Sequence, residues 1–245
     1  GHSNQYNLDI VPEGLSDVID IASGASAVYA LKSDGTVVSW GYSGWFPPGD
    51  LSNAIDIAGG GYHGAAVKSD GTVVAWGDNS QGQCNVPNSL DNVIKIEAGR
   101  QHTCALMSDG TVTSWGRSDT NGGAGISDVV DIAAGVYTCV ALKSDGTVAT
   151  WGRNDQGATE LPDGLSDVVE IAAGAYGGLA LKSDDTIVGW GSNEHGQLDY
   201  PDDLNLVPPS DSPTCVQDCA GEWGGTAWES DCGCVAADDS GDECD

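Results

Sequence analysis

The chain has 245 residues and a formal net charge of −29, because 37 acidic side chains stand against 8 basic ones. So large an acidic excess argues against nucleic-acid binding, since affinity for a phosphate backbone comes mainly from lysine and arginine. No stretch approaches the roughly eighteen apolar residues of a membrane-spanning helix. We therefore expect no nucleic-acid partner and no membrane span.

One pattern occurs five times along the chain. Asp-Ile-Ala-x-Gly is followed by Ala-Leu-Lys-Ser-Asp-Gly-Thr-Val and then by Trp-Gly, most clearly in the copy that starts at Val129. The tryptophans of the five Trp-Gly pairs lie 36 to 39 residues apart, at Trp40, Trp76, Trp115, Trp151 and Trp190. A period of this size is typical of solenoids and propellers rather than of a mixed globular domain.

Within the copy at Val129, the sequence predicts short antiparallel strands in chain order. Residues 130–132 alternate between apolar and polar, as a half-buried strand does, and residues 139–142 form the next strand. Asp145-Gly146 predicts a two-residue hairpin turn, residues 147–151 return as the third strand, and residues 153–167 are expected to hold a shorter outer strand. Three or four such strands form a propeller blade. We predict an all-β fold, a β-propeller of five repeats, with each tryptophan packed between blades.

The repeat, written Ala-Gly-x-x-x-(Thr)-x-Ala-Leu-x-Ser-Asp-Gly-Thr-Val-x-x-Trp-Gly, resembles that of the regulator of chromosome condensation superfamily. The short copies, over about residues 4–205, are most similar to a bacterial secreted branch that includes a β-lactamase inhibitory propeller. Members of the superfamily usually have about seven blades, whereas five Trp-Gly units occur here. Chromatin-binding members need basic surfaces that this chain lacks, so we do not transfer that function.

The two ends of the repeat region hold extra linker segments. Residues 11–17 parallel the linker 161–167, and residues 192–204 form another linker, which gives five core units but six linkers. A closed five-bladed ring, completed by strand exchange between the termini, is the prediction that we favour. The alternative is an incomplete ring whose exposed edge pairs with a neighbouring molecule.

The cysteines concentrate at the C-terminal end. We divide the chain into propeller repeats at 1–205, a Pro/Ser linker at 206–214 and an acidic cysteine-rich tail at 215–245. The tail resembles short cysteine-rich modules on surface proteins of marine bacteria and animals. Clustered cysteines indicate disulfides and an oxidising, extracellular or cell-surface location. The pairing stays open, and the candidates are Cys84, Cys104, Cys139, Cys215, Cys219, Cys232, Cys234 and Cys244.

Residues 238–243 carry the oxygen ligands that calcium prefers. They lack the regular spacing of a calcium-binding loop, so we expect solvated charge there and no cofactor. The histidines stand in no triad or metal-ligand motif, and we therefore predict no catalytic and no metal site.

Residues that differ between the copies are the candidates for binding a protein partner, with blade packing as the alternative explanation. One set follows the repeat glycine and comprises Tyr62, His63, Arg100, His102, Tyr137 and Tyr176. A second set follows Trp-Gly and comprises Tyr42, Trp45, Phe46, Arg117 and Arg153. Tyr and Arg are enriched in the energetic centres of interfaces.

These observations predict a secreted, non-catalytic β-propeller that acts through protein–protein contacts. We favour a structural subunit of an extracellular or surface assembly, with a filament as one form of it. The alternative is a ligand-binding or enzyme-inhibiting propeller that uses one aromatic-rich face.

Overall fold

The computed structural model describes residues 8–200, together with the backbone of residues 228–230 and 233–235. The chain divides into two compact units, Gly1–Tyr200 and Pro201–Asp245. The finer boundaries at residues 205 and 214 stay predictions. Among the described residues, no helix is long and apolar enough to cross a membrane.

The first unit contains five three-stranded antiparallel sheets, in which the middle strand pairs with both neighbours. These sheets, the blades, confirm the predicted all-β propeller. Blade 1 comprises β1 Val18–Ser23, β2 Ala27–Lys32 and β3 Val37–Gly41; blade 2, β4 Ala54–Gly59, β5 His63–Lys68 and β6 Val73–Gly77; blade 3, β7 Val93–Ala98, β8 His102–Met107 and β9 Val112–Gly116; blade 4, β10 Val129–Ala134, β11 Thr138–Lys143 and β12 Val148–Gly152; blade 5, β13 Val168–Ala173, β14 Gly177–Lys182 and β15 Ile187–Gly191. In the second unit, β16 Trp228–Ser230 pairs with β17 Gly233–Val235.

The predicted outer strand is wrong. Residues 153–167 contain a short 3₁₀ turn at Asp155–Gly157 and no strand. Backbone donors in this segment are satisfied locally instead, since Thr159 N donates to Asn154 Oδ1 at 3.1 Å. Pro162 has no backbone N–H to give to a strand ladder. Each blade therefore has three strands.

The predicted two-residue hairpin is also wrong, because the turn has three residues. Lys143 N donates to Thr147 O at 2.9 Å and so encloses the three residues 144–146. Gly146 alone takes a positive φ, +77°, as expected of a three-residue hairpin with one left-handed residue. The Asp145 carboxylate accepts hydrogen bonds from the Thr147 backbone N–H at 3.0 Å and from its hydroxyl at 2.6 Å.

The apolar cores lie between successive blades. In the core between blades 4 and 5, Val140 and Leu142 of β11 pack against Val168 and Ile171 of β13. Equivalent cores join the other successive pairs of blades. Four of the five repeat tryptophans pack in these cores, as predicted: Trp76, Trp115, Trp151 and Trp190. Trp40 of blade 1 belongs to none of the four cores, and its indole N–H donates to Leu8 O at 2.9 Å. The Trp190 indole N–H donates to Ala158 O in the preceding linker at 3.1 Å.

The turns between first and second strands meet around a common axis. They are joined from blade to blade by backbone hydrogen bonds, such as Gly61 N to Gly99 O at 3.1 Å and Val136 N to Gly174 O at 3.3 Å. All five blades line a cavity of about 490 Å³ at this point. We call it the axial cavity.

The favoured closure of the ring is not confirmed. Ile21 on β1 is 73% exposed, whereas the equivalent Ile132 is 1% exposed. Leu179 on β14 is 36% exposed, whereas the equivalent Val140 is 1% exposed. In the part of the chain that the structure describes, no backbone hydrogen bond at the axis joins blade 5 to blade 1. Among residues 8–200, nothing packs on the outer sides of these two blades, and we call them the open sides.

Candidate functional site

The two predicted sets of contact residues lie at the same end of the blades. In blade 4, Thr138 pairs with Gly152, and Arg153 N donates to Tyr137 O at 3.0 Å. The turn between the first two strands therefore sits beside the loop that follows Trp-Gly. We call this end of the blades the loop face, and the opposite end, which carries the Ser-Asp-Gly turns, the hairpin face.

One aromatic cluster on the loop face spans blades 1 and 2. The rings of Tyr42 and Trp45 lie 5.4 Å apart, and those of Trp45 and Tyr62 lie 6.3 Å apart, between centroids. Tyr42, Phe46 and Tyr62 are exposed, while Trp45 is half-buried. The backbone of Trp45 is structural, because its carbonyl accepts the Trp76 indole N–H at 2.9 Å. The exposed rings lie at the surface of the loop face.

A second cluster gathers all three arginines of the chain around Tyr137. Arg100 Nη1 donates to the Tyr137 hydroxyl at 2.9 Å. The guanidinium carbons of Arg117 and Arg153 lie 5.3 and 4.8 Å from the Tyr137 ring centroid, within the range of cation–π attraction. The ring of the exposed Tyr176 lies 6.4 Å away. The structure thus brings members of both predicted sets into one cluster.

His63 and His102 do not belong to the contact surface, and this corrects the prediction. They are 1% and 0% exposed, because each is the first residue of a middle strand and points between blades. His63 Nε2 lies 3.0 Å from Thr103 Oγ1, and His102 Nε2 lies 3.3 Å from Thr138 O. Burial lowers the pKa of each imidazole to about 4. Both are neutral packing residues at neutral pH.

Two of the candidate cysteines form a disulfide that the sequence left undetermined. Cys104 and Cys139 join the middle strands of blades 3 and 4. Cys84 has a free thiol whose Sγ donates to Asp78 O at 3.2 Å, and burial raises its pKa to about 11. The remaining cysteines and the calcium candidate at 238–243 lie outside the described residues, except for the backbone of Cys234 in β17.

A half-buried charge cluster on the first strands was not predicted. Lys95 pairs with Asp131 and, at 3.6 Å, with Glu97. Burial raises the pKa of Glu97 to about 7 and that of Asp56 to about 6. Asp56 Oδ2 accepts the Ile96 backbone N–H at 2.6 Å. Opposite charges from neighbouring blades thus link the first strands to one another.

Four of the five repeats match a known family model. The regulator of chromosome condensation (RCC1) repeat matches residues 54–83, 93–122, 129–158 and 168–197. No curated protein matches the chain.

Solved structures share the fold. Prp20p from Saccharomyces cerevisiae is 21% identical with a TM-score of 0.62, and the match covers 71% of this chain and 58% of Prp20p. The ACR4 receptor-kinase ectodomain from Arabidopsis thaliana is 21% identical with a TM-score of 0.60, over 74% of this chain and 68% of that one. The CR4 ectodomain from Physcomitrella patens is 22% identical with a TM-score of 0.59, over 71% and 50%. The five blades share their fold with these structures, and the four matched repeats make this β-propeller similar to those built from the RCC1 repeat.

Proposed function

We propose that this propeller is a non-catalytic structural subunit whose copies join head to tail through the open sides of blades 1 and 5. Binding of proteins is in keeping with similar folds: Prp20p was described together with its binding to Gsp1p and histones, and was also solved bound to Kap60. The observation that carries the proposal for this chain is the pair of unpacked blade sides.

The two open sides are the two halves of an interface that recurs inside the chain. On blade 5, Leu179 and Leu198 line a cavity of about 380 Å³. The next blade in the chain covers the equivalent side of blade 4, where Ile171 of β13 packs on Val140. Ile21 of β1 is the equivalent of Ile171 and has no such cover. The side of blade 1 is therefore complementary to the side of blade 5.

The geometry favours an extended assembly over a closed pair. The two sides differ, so the contact is heterologous and leaves one open side at each end of a dimer. Five blades already curve around the axial cavity. A copy added at blade 5 must therefore shift along the axis to avoid blade 1, and repeated addition would produce a helical filament.

A location outside the cell fits this role. Eight cysteines occur in the chain, and the described pair is a disulfide between blades. Disulfides persist in oxidising, extracellular environments. The net charge of −29 also favours solubility.

Light scattering on the oxidised protein across a concentration series tests the assembly. The mass should rise with concentration for the native chain, whereas Ile21→Glu and Leu179→Glu should each stay monomeric. Val130→Glu is the matched control, because Val130 is exposed but lies on neither open side. Mixing the two edge variants should restore dimers and nothing larger, since each retains the side that the other lacks. A native chain that stays monomeric at high concentration contradicts the proposal.

A second candidate function is supported by the loop face, with its exposed Tyr42, Phe46, Tyr62 and Tyr176. This face would bind one target protein, as in an enzyme-inhibiting propeller. Because the repeat resembles that of a β-lactamase inhibitory propeller, inhibition of a β-lactamase is the first assay. Replacing Tyr62 and Tyr137 by Ala should abolish inhibition while circular dichroism shows that the chain stays folded. No inhibition by the native chain would reject this target.

A further inference from the structure

The axial cavity is lined almost entirely by small neutral residues. Turns from all five blades contribute glycine and alanine, and Tyr62 is the one aromatic residue among the described residues of the lining. Among the described residues, Arg100 is the only charged one that lines it. Its volume of about 490 Å³ lies within the range of about 300–1,000 Å³ that is usual for ligand pockets. The cavity is open to solvent, and its described lining offers one positive charge among otherwise uncharged residues.

Arg100 differs from the other two arginines in its charge balance. Arg117 and Arg153 share Asp119, at 2.7 and 3.6 Å, and Arg153 also pairs with Asp155. Within the described part of the chain, Arg100 has no carboxylate oxygen within 4.0 Å. Its guanidinium is exposed, and one of its N–H groups is held by the Tyr137 hydroxyl. The remaining N–H groups of Arg100 are available to a ligand.

Tyr137 places this guanidinium at the rim of the cavity. The ring is fixed by the guanidinium groups of Arg117 and Arg153, which lie over it at 5.3 and 4.8 Å. The Arg100 stem packs close to Gly61, where a Cβ would lie 3.0 Å from Arg100 Cγ. Little side-chain freedom therefore has to be lost when Arg100 binds a ligand, which favours binding.

We propose that the axial cavity binds a single carboxylate group of a protein partner through Arg100. This inference rests on the loop face being a binding surface, the second candidate function. A planar guanidinium matches a carboxylate with two parallel hydrogen bonds, and one cation balances one negative charge. Polyanions such as nucleic acid would be repelled by a chain of net charge −29. Tyr62 lines the cavity and offers apolar contact to the residues beside the carboxylate.

Titration of the 245-residue chain with two short peptides, followed by backbone NMR, tests the proposal. The probes are Ac-Leu-Glu-Leu-NH₂ and its uncharged analogue Ac-Leu-Gln-Leu-NH₂. The glutamate peptide should shift the amide signals of Gly61 and Gly99, and the analogue should bind at least about tenfold more weakly, because a hydrogen bond to a charged group contributes about 1.5–3 kcal/mol. Added salt should weaken the binding of the glutamate peptide but not that of the glutamine analogue.

Two variants isolate the role of Arg100. Arg100→Gln should weaken the glutamate peptide at least about tenfold. Lys143→Gln makes the same charge change on the hairpin face and should leave binding unchanged. Equal binding to Arg100→Gln and the native chain, or equal binding of the two peptides, overturns the proposal. Tighter binding of a phosphoserine analogue, Ac-Leu-pSer-Leu-NH₂, overturns the assignment to carboxylate.

Failure of this inference can be told apart from failure of the proposed functions. Self-association is measured by light scattering and does not depend on Arg100. Loss of target binding on replacing Tyr62 and Tyr137 would show that the loop face binds a protein. If that loss occurs while Arg100→Gln binds normally, the loop face is a binding surface and the carboxylate site is wrong.

Discussion

One isoleucine position provides a direct test of which blade sides are covered. The fourth residue of each first strand is isoleucine, at Ile21, Ile57, Ile96, Ile132 and Ile171. Replacing the buried Ile132 by Ala should lower the free energy of unfolding by about 2–5 kcal/mol, from lost burial and the cavity that remains. Ile21 is 73% exposed, so only about a quarter of a full burial contribution of about 1.5–3 kcal/mol can be lost. Ile21→Ala should therefore cost less than about 1 kcal/mol in the monomer.

Urea unfolding, followed by tryptophan fluorescence and by circular dichroism, measures both variants. The protein must be dilute enough to be monomeric by light scattering, because association would stabilise the native state. Blades of a repeat protein can unfold separately, so the two signals must give the same midpoint before free energies are compared. Where they do, and where the free energy of unfolding depends equally steeply on urea concentration in both proteins, the shift in midpoint reports the change in stability.

Equal losses for Ile21→Ala and Ile132→Ala in the dilute monomer would refute this reasoning. Such a result would mean that the side of blade 1 is covered within one chain, as in a closed ring, and the head-to-tail proposal would fail with it. If the proposal is correct, the native chain gains stability as its concentration rises, and Ile21→Ala does not.

Three further outcomes are expected. Removing the Cys104–Cys139 disulfide should cost about 3–4 kcal/mol by the chain-entropy estimate, since it closes a loop with a sequence separation of 35; an unchanged midpoint on reduction would contradict this. Gly135→Ala should lower the free energy of unfolding by about 1–3 kcal/mol, because the added Cβ would collide with Gly174 O of the next blade. Gly174→Ala is the control and should be tolerated, because its Cβ meets only Gly177 O of its own blade, at 3.6 Å. Burial lowers the pKa of His102 to about 4, so as the pH is lowered the unfolded form takes up a proton before the folded form does. The free energy of unfolding should therefore fall by up to about 3 kcal/mol between about pH 6.5 and 4. Unfolding titrations across this pH range should show a smaller decline for His102→Asn.

The blades could be predicted from the sequence because the period and the pattern of each strand repeat. Ile132 and Trp190 recur at fixed positions, and their burial follows from packing one blade on the next. The extra linkers at 11–17 and 192–204 already indicated that the ends differ from the interior. Whether the ends meet depends on the angle between blades, which no local pattern specifies.

The contact residues were harder to predict because one position along a strand reverses the direction of a side chain. Tyr62 and His63 are adjacent, yet the tyrosine is exposed and the histidine is buried. The strand β5 begins at His63, and this boundary decides which of the two side chains is buried.

The Cys104–Cys139 pair could have been found from the repeat register, because these cysteines occupy the third and second positions of neighbouring middle strands.

The two proposed contact surfaces are linked through Tyr176. Its ring neighbours Tyr137 on the loop face, and the residue also lines the cavity on the open side of blade 5. A copy docked on blade 5 would therefore contact Tyr176 and restrict its ring beside the Arg100 cluster. Tyr176→Ala should consequently weaken self-association and alter peptide binding together, whereas Ile21→Glu should affect self-association alone and Arg100→Gln peptide binding alone. If Tyr176→Ala changes neither property, the two surfaces are independent and the edge contact does not extend to the loop face.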